Sequence, residues 1–206
     1  MDISKIEAGQ MELNLEWVEL QPELDLVIAT AEGLVEKNKN KLVFSCSEDV
    51  GLLYTDAQRL RKILLNLLGN AAKFTDQGTI EFIVRTESVN DEKKVIFELR
   101  DTGIGMSQEQ LERIFDRFVQ ADSSTTRRFG GTGLGLGLVK EFSELLGGEI
   151  PVTSEENKGS CFSIAFSGSA CNQDNVQPDS EKYLEPMLDV AMQSSSQILI
   201  IEDDPN

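Results

Sequence analysis

The sequence predicts an α+β fold in which helices lie on one side of a mixed sheet. Apolar residues recur at helical spacing in long stretches, most regularly over residues 60–75. Between these stretches, apolar and polar residues alternate as in half-buried strands, and short polar turns join neighbouring strands into hairpins. With 206 residues, 40% of them hydrophobic, the chain is long enough to bury one ordinary core.

The helices are indicated by their end signals as well as by their spacing. Pro22 is expected to open a helix, Asp56 and Ser107 are suitable N-caps, and Gly147 ends the last helix. Gln110 stands three residues after Ser107, which is the spacing of a capping box. The predicted helices cover residues 22–35, 57–75, 107–115 and 134–146.

Alternating sequences predict six strands. The strand over residues 94–100 carries Val95, Phe97 and Leu99 on one face, which is therefore expected to be buried. Pro151 within a strand indicates an edge position, because proline cannot donate to the ladder of hydrogen bonds. The predicted strands cover residues 11–15, 42–46, 79–86, 94–100, 149–154 and 160–167.

Composition excludes several classes of function. The net charge of −17 repels polyanions, so nucleic acid and anionic membranes are not expected partners. The chain has no histidine, which excludes a Cys/His zinc site, a Ser-His-Asp triad and a kinase loop of the HRD type. The three cysteines lack a CxxC spacing and are expected to be reduced thiols. No apolar run is long enough to span a bilayer.

The helix predicted over residues 57–75 has a polar face as well as an apolar stripe. Asn66, Asn70 and Lys73 stand at positions i, i+4 and i+7 and therefore line up along one side. An amide oxygen is a suitable neutral ligand for Mg²⁺, and a lysine ammonium pairs with phosphate. The alternative is an amphipathic helix whose asparagines only face water.

Two glycine-rich stretches favour a ligand site. Asp101, Gly103 and Gly105 follow the buried strand, and the glycines permit close approach of the backbone to a flat ligand. Asp101 can accept a hydrogen bond from an exocyclic amine such as that of adenine, although a tight turn would also explain this motif. Over residues 130–137, five glycines precede and begin a helix and would expose backbone N–H groups to phosphate. A hinge or close helix packing is the alternative there.

Four segments resemble, in order, the N, G1, F and G2 boxes of the ATP-binding catalytic domain of sensor histidine kinases. They are NLLGNAAKFT, DTGIGM, IFDRF and RRFGGTGLGLGLV. That domain belongs to a superfamily shared with DNA gyrase, a heat-shock chaperone and a mismatch-repair ATPase. The resemblance implies a two-layer α/β sandwich of the Bergerat ATP-binding type, with a mixed, mostly antiparallel sheet and helices on one face.

The resemblance also implies roles for individual residues. Asn66 and Asn70 would bind Mg²⁺ and the phosphates, and Lys73 would neutralise phosphate charge. Asp101 would bind the adenine amine, directly and through water, and Phe74 would lie beside the nucleotide. The full set of nucleotide-binding positions that the resemblance implies is Asn66, Asn70, Lys73, Phe74, Asp101, Gly103, Gly105, Phe118, Arg128, Gly131, Thr132, Gly133, Leu134 and Gly135.

An ATP lid is implied after the F box. Phe115 and Phe118 would anchor this lid, and residues 119–128 would form its mobile span. Arg127 or Arg128 would reach the γ-phosphate, although a solvated lid explains two exposed arginines equally well.

The implied function is to bind Mg-ATP and to donate its γ-phosphate to a histidine on a separate phosphoacceptor domain, in two-component phosphorelay signalling. Relatives that hydrolyse ATP have a glutamate as general base where this chain has Asn66, and an amide cannot take a proton from water. No residue is assigned a certain catalytic role. The alternatives are a nucleotide-binding regulatory module without kinase activity and, less favoured, an ATPase.

Four segments are expected along the chain. Residues 1–10 resemble the end of a dimerisation and phosphoacceptor helix, residues 11–167 form the catalytic domain, and the polar residues 168–196 form a linker. Residues 197–206 resemble the start of a receiver domain, with an acidic terminus as the alternative. We therefore expect a monomeric, cytoplasmic fragment of a hybrid histidine kinase, whose parent dimerises and is either free or membrane-anchored. Without the acceptor histidine, the fragment should not autophosphorylate.

Overall fold

A computed structural model describes residues 11–89, 92–116 and 135–170, nearly all of which belong to one compact unit, Glu12–Asn175. No helix within these three ranges is both long and apolar enough to cross a membrane. The elements follow in the order β1 (Glu16–Glu19), α1 (Leu20–Lys37), β2 (Lys41–Cys46), β3 (Leu52–Thr55), α2 (Ala57–Phe74), β4 (Thr79–Val89), β5 (Glu92–Asp101), α3 (Gln108–Arg113), α4 (Gly135–Leu145), β6 (Val152–Glu155), β7 (Gly159–Ser167) and β8 (Ser169–Ala170).

The main sheet has five strands in the order β2-β4-β5-β7-β6. Only the β2–β4 pair is parallel within this sheet, and the other three pairs are antiparallel. A smaller antiparallel sheet joins β1, β3 and β8. The prediction of a mixed, mostly antiparallel sheet is confirmed, and Pro151 directly precedes the edge strand β6.

The core lies between the main sheet and helices α1, α2 and α4. Every second residue of β4, β5 and β7 is buried, which places one face of the sheet under the helices. The buried residues on this face are Ile80, Phe82, Val84, Val95, Phe97, Leu99, Phe162, Ile164 and Phe166, and Ile96 of β5 is buried on the opposite face. Helix α2 buries the apolar stripe that the spacing predicts, and α1 and α4 pack on either side of it. The two-layer sandwich is confirmed.

Two helix starts are confirmed by their caps. The Asp56 carboxylate accepts a hydrogen bond from the Arg59 backbone N–H at 3.0 Å and caps α2. The Ser107 hydroxyl and the Gln110 side chain exchange hydrogen bonds with each other's backbone N–H groups, which completes a capping box at α3.

Three predictions about the smaller elements are wrong, and one strand was not predicted. Residues 11–15 form no strand, and the strand is Glu16–Glu19, because pairing with β3 begins only there. Strand β3 itself has no alternating pattern and was not predicted from the sequence. Ser169–Ala170, which the sequence places in the linker, pairs with β3. Helix α1 begins at Leu20, so Pro22 lies within its first turn rather than opening it.

The loop between α1 and β2 fixes the end of α2. The amide Nδ2 of the buried Asn40 donates to the carbonyl oxygens of Ala72 and Thr75, at 3.1 and 2.8 Å. Its Oδ1 accepts from the Gly78 N–H at 3.0 Å, and Asn38 also donates to the Ala72 carbonyl, at 2.8 Å. The last turn of α2 is thereby held by side chains from outside the helix.

Candidate functional site

The end of β5 is joined directly to the end of α2. The backbone N–H of Ile104 donates to the Phe74 carbonyl at 3.1 Å. A Cβ on Gly103 would overlap the same carbonyl and would lie 2.8 Å from Asp101 Oδ1, so only glycine fits between the two elements. We call Phe74, Thr75, Asp101 and Gly103 the carboxylate end of the site.

Asp101 is a half-buried carboxylate with oriented donors around it. Burial raises the pKa of Asp101 above its ordinary value of 3.8, while the backbone N–H groups of Gly103 and Ser160 and the hydroxyl of Thr75 act to lower it. The Gly103 N–H donates to Oδ1 at 2.9 Å. Gly159, with a φ of +109°, brings β7 against the Asp101 carbonyl, where a side chain would collide. The carboxylate is therefore held by backbone on two sides.

The β6–β7 turn supports the loop after Asp101. Gly105 has a φ of +62°, and a Cβ on it would collide with the Glu155 carbonyl of this turn. The Asn157 N–H donates to the Ile104 carbonyl at 2.7 Å. A glycine is therefore required at position 105 because the backbone packs against this turn. The turn in this way supports the loop that follows Asp101.

The predicted polar face of α2 is directed at the start of α4. Asn66 Nδ2 donates to the Lys62 carbonyl at 2.8 Å, which turns its Oδ1 away from the helix backbone. A Cβ on Gly135 would lie 3.2 Å from Asn66 Oδ1 and 3.8 Å from Asn70 Nδ2. The structure therefore brings these three predicted residues together and leaves an amide oxygen facing the space beside a glycine. We call Asn66, Asn70, Lys73 and Gly135 the amide end.

Lys73 supplies a cation next to the carboxylate end. Its Nζ lies 4.7 Å from the centroid of the Phe74 ring, which is the geometry of a cation–π contact. Partial burial lowers the pKa of Lys73 from its ordinary value of 10.5. Asn66, Asn70 and Lys73 share one face of α2, as predicted, and Phe74 follows at the end of that helix.

A neutral donor set suits a hard cation that also binds an anionic ligand. Asn66 offers an oriented amide oxygen, which Mg²⁺ accepts as a ligand. Within the ranges that the structure covers, no group of three or more His, Cys, Asp or Glu residues could hold a metal ion. Mg²⁺ would therefore need ligand oxygens, such as those of phosphates, to complete its coordination.

Several predicted site residues lie outside the described residues. These residues are Phe118, Arg127, Arg128, Gly131, Thr132, Gly133 and Leu134. Phe115, by contrast, is described and lies half-buried just after α3.

The sequence reasoning missed three residues of the carboxylate end and its support. Thr75 ends the NLLGNAAKFT segment, and Ser160 follows a glycine before a buried strand, so each had a weak local signal. Asn40 had none, because its contacts are with residues more than 30 positions away.

The matching family model covers the whole described site. This model is that of the histidine kinase-, DNA gyrase B-, and HSP90-like ATPases, and it matches residues 55–169. The match includes both ends of the site and the stretch between them.

Curated relatives are much longer than this chain. The autoinducer 2 sensor kinase/phosphatase LuxQ of Vibrio vulnificus is 38% identical over 174 residues, which are 81% of this chain and 20% of that protein. The signal transduction histidine-protein kinase BarA of Escherichia coli is 37% identical over 164 residues, 79% of this chain and 18% of that protein. The chain thus spans about a fifth of the length of these relatives.

Solved structures share the fold. Full-length ShkA, crystallised in complex with AMPPNP, is 29% identical with a TM-score of 0.70, and the match covers 82% of this chain and 34% of that one. The catalytic domain of the histidine kinase ThkA is 25% identical with a TM-score of 0.60, and the match covers 77% of this chain and 97% of that one. Both matches confirm the fold predicted from the sequence.

Proposed function

Because the chain belongs to the family of histidine kinase-, DNA gyrase B-, and HSP90-like ATPases, we propose that it binds Mg-ATP and donates the γ-phosphate to a histidine on a separate domain. One observation carries this proposal. Helix α2 bears Asn66, Asn70 and Lys73 of the amide end on one face, and its Phe74 carbonyl accepts a hydrogen bond from the loop that follows Asp101. Groups suited to a metal and phosphate therefore lie on one element, and a receptor for an amine lies on a second element that is hydrogen-bonded to it.

The carboxylate end suits the purine. Asp101 can accept a hydrogen bond from the exocyclic amine of adenine, and its partial burial strengthens that contact. Gly103 has no side chain, so a flat ring can approach the backbone there.

The amide end suits Mg²⁺ and the phosphates. Asn66 and Asn70 would hold Mg²⁺, which when bound would neutralise phosphate charge, and Lys73 would add a fixed cation. Phe118, Arg128 and the residues Gly131, Thr132, Gly133, Leu134 and Gly135 are proposed to cover the phosphates. We assign no catalytic proton transfer to any of these residues, because positioning and charge neutralisation account for most of phosphoryl transfer.

The neutral side chain of Asn66 favours transfer of the γ-phosphate to an acceptor over hydrolysis of ATP. A neutral amide cannot remove a proton from an attacking water at neutral pH. The γ-phosphate would then be retained until an acceptor histidine is presented. This chain has no histidine, so the acceptor must belong to another domain.

The surrounding segments complete the proposal. We propose that residues 1–10 continue from a phosphoacceptor hairpin, that residues 168–196 link the catalytic domain onward, and that residues 197–206 begin a receiver domain. The parent would then be a dimeric hybrid kinase, and this fragment would be monomeric and work in the cytoplasm.

Calorimetry with Mg-AMPPNP tests the binding site. Asp101→Asn should weaken binding by about tenfold or more, because the contact with the purine amine is lost. Asn70→Asp should disturb the contacts with the metal and the phosphates. Asp76→Asn and Gln58→Glu make the same chemical changes at exposed positions next to α2 and within it, and should leave affinity unchanged. If all four variants bind as the parent chain does, the proposed site is wrong.

A transfer assay tests the reaction. The chain is mixed with ATP labelled at the γ-phosphate and with a separately purified phosphoacceptor hairpin of a histidine kinase. Labelled, acid-labile phosphohistidine on the hairpin supports the proposal. Binding of ATP without any transfer would favour a regulatory module, whereas steady phosphate release well above background would favour an ATPase.

A further inference from the structure

Thr75 carries a buried hydroxyl at the carboxylate end that no predicted role accounts for. The residue is only 1% exposed, and its Oγ1 makes no hydrogen bond to any residue that the structure describes. Buried hydroxyls in folded proteins nearly always have partners, so an unpaired one next to a ligand site points to a hydrogen bond that forms when the ligand binds.

The surroundings leave Thr75 little freedom to turn away. Its backbone N–H donates to the Ala71 carbonyl at 3.1 Å, and its own carbonyl accepts from Asn40 at 2.8 Å. Its methyl group lies so close to Gly78 that a Cβ there would be 2.6 Å away. Backbone and methyl are both fixed, and the hydroxyl is therefore held in place.

The held hydroxyl faces the Asp101 carboxylate. In the structure it falls short of hydrogen-bond geometry, yet it is near enough to lower the pKa of Asp101. A carboxylate has about four acceptor positions, and the N–H groups of Gly103 and Ser160 take two of them. A third donor from Thr75 would leave a single position for the ligand.

We propose that Thr75 is a positioning residue, whose hydroxyl donates to the Asp101 carboxylate when nucleotide binds and so directs one remaining acceptor at the 6-amino group of adenine. This inference rests on the proposed function and extends it to base specificity. A hypoxanthine nucleotide presents a 6-oxo group, which a directed carboxylate repels. Without the hydroxyl, two acceptor positions of the carboxylate stay open instead of one, and the preference for the amine declines.

A role in packing alone would show itself differently. Thr75 is the C-cap residue directly after α2, and its burial contributes to stability whatever its hydroxyl does. Loss of packing would lower the melting temperature and weaken all nucleotides alike. Loss of positioning would change the ratio of affinities between two bases.

The test compares Thr75→Val with Thr75→Ser. Valine keeps the shape of the side chain and removes the hydroxyl, whereas serine keeps the hydroxyl and removes the methyl group. Thr30→Val is the matched control, because Thr30 is exposed and its hydroxyl donates to the Leu26 carbonyl of its own helix α1. Thr75→Ala removes the hydroxyl without adding bulk and replaces the valine variant if that variant does not fold.

Calorimetric affinities for ADP and for inosine diphosphate are measured for each chain, with melting temperatures alongside. We expect the parent chain to prefer ADP, and Thr75→Val to weaken ADP about tenfold and inosine diphosphate less than about threefold. Thr75→Ser should keep the preference of the parent chain, and Thr30→Val should change neither affinity.

The two proposals fail in distinguishable ways. If Thr75→Val keeps the ratio of the two affinities, or if Thr75→Ser loses it as fully as valine does, the role of Thr75 is overturned while the binding site stands. If the parent chain binds neither nucleotide, the proposed function itself fails, and the inference fails with it.

Discussion

The carboxylate end and the amide end are built in different ways. At the carboxylate end, the position of Asp101 follows from backbone contacts, namely the Ile104 N–H on the Phe74 carbonyl and the Gly103 N–H on the carboxylate. At the amide end, the predicted polar side chains project from one helix, and Asn66 is oriented by a hydrogen bond to the Lys62 carbonyl. The carboxylate end depends on close packing of the main chain. The amide end depends on individual side chains, each of which a substitution can remove.

This difference predicts different responses to substitution. Backbone contacts between β5 and α2 cannot be weakened one at a time, because a side chain in the wrong place separates the two elements. Side chains on α2 can be removed singly while the helix remains, since α2 is held by its buried stripe and its caps. We therefore expect abrupt losses at the carboxylate end and graded losses at the amide end.

The largest effect is expected from Gly103→Ala. The new Cβ would collide with the Phe74 carbonyl, so the loop after β5 must move off α2. We expect affinity for ADP to fall about 100-fold or more, equivalent to about 2.7 kcal/mol, by calorimetry.

Gly69→Ala is the control for Gly103→Ala. Gly69 also lies on α2, between Asn66 and Asn70, but among the described residues no atom outside the backbone of its own helix lies within 4 Å of an added Cβ. This variant should keep its affinity and gain about 0.5–1 kcal/mol in the free energy of unfolding, because alanine is the better helix former. Equal affinities for the two variants would contradict the backbone origin of the carboxylate end.

Asn40→Ala should lower the free energy of unfolding by about 2 kcal/mol in urea titrations, because the buried Asn40 side chain makes three hydrogen bonds, two of them buried. It should also weaken binding of ADP, since two of these bonds hold the end of α2 and the third holds the Gly78 turn. Asn38→Ala removes one half-buried bond and should cost less than half as much. If both variants are equally stable, the hydrogen bonds of Asn40 are not the main contacts that hold the end of α2.

Local sequence signals predicted the amide end well and the carboxylate end only in part. Asn66, Asn70 and Lys73 share a helix face because of helical periodicity, which depends on nothing beyond the helix itself. Asp101 and Gly103 were visible as a motif. Their contact with Phe74, by contrast, results from the packing of β5 against α2, which spacing along the chain does not encode.

The fold shows the same division. The long strands β4, β5 and β7 and helix α2 follow from periodicity, and the Ser107 capping box follows from two residues. Strand β3 was missed because it has four residues without alternation, and its partners β1 and β8 come from opposite ends of the described chain. Short strands of this kind are defined by their pairing, which is a tertiary property.

Lys73→Met should give a graded loss at the amide end. Methionine keeps an unbranched stem over the Phe74 ring and removes the charge. We expect the affinity for ATP to fall about tenfold, or about 1.4 kcal/mol, and the affinity for adenosine to stay unchanged. Lys37→Met, at the exposed end of α1, is the control for loss of one positive charge. If adenosine weakens as much as ATP, Lys73 acts on the carboxylate end instead.

The smallest effect concerns the pH dependence of stability at Asp101. Burial raises the pKa of this carboxyl in the folded chain, so the folded state binds its proton more readily than the unfolded state. The contribution of Asp101 to the free energy of unfolding should therefore increase as the pH falls through the raised pKa towards 3.8, and be lowest above the raised value. Asp101→Asn removes the titrating group, so its stability advantage over the parent should be greatest near pH 7 and shrink in acid.

Urea titrations of the parent and of Asp101→Asn over this pH range measure that advantage, with Asp76→Asn as the control for an exposed carboxylate. The comparison also sharpens the contrast between the two ends, because Asp101→Asn should gain stability at neutral pH while it loses affinity for ADP. A group that binds a ligand is expected to be retained even where it lowers the stability of the fold. If Asp101→Asn is less stable than the parent at every pH, the backbone donors outweigh burial, and Asp101 serves the fold as much as the site.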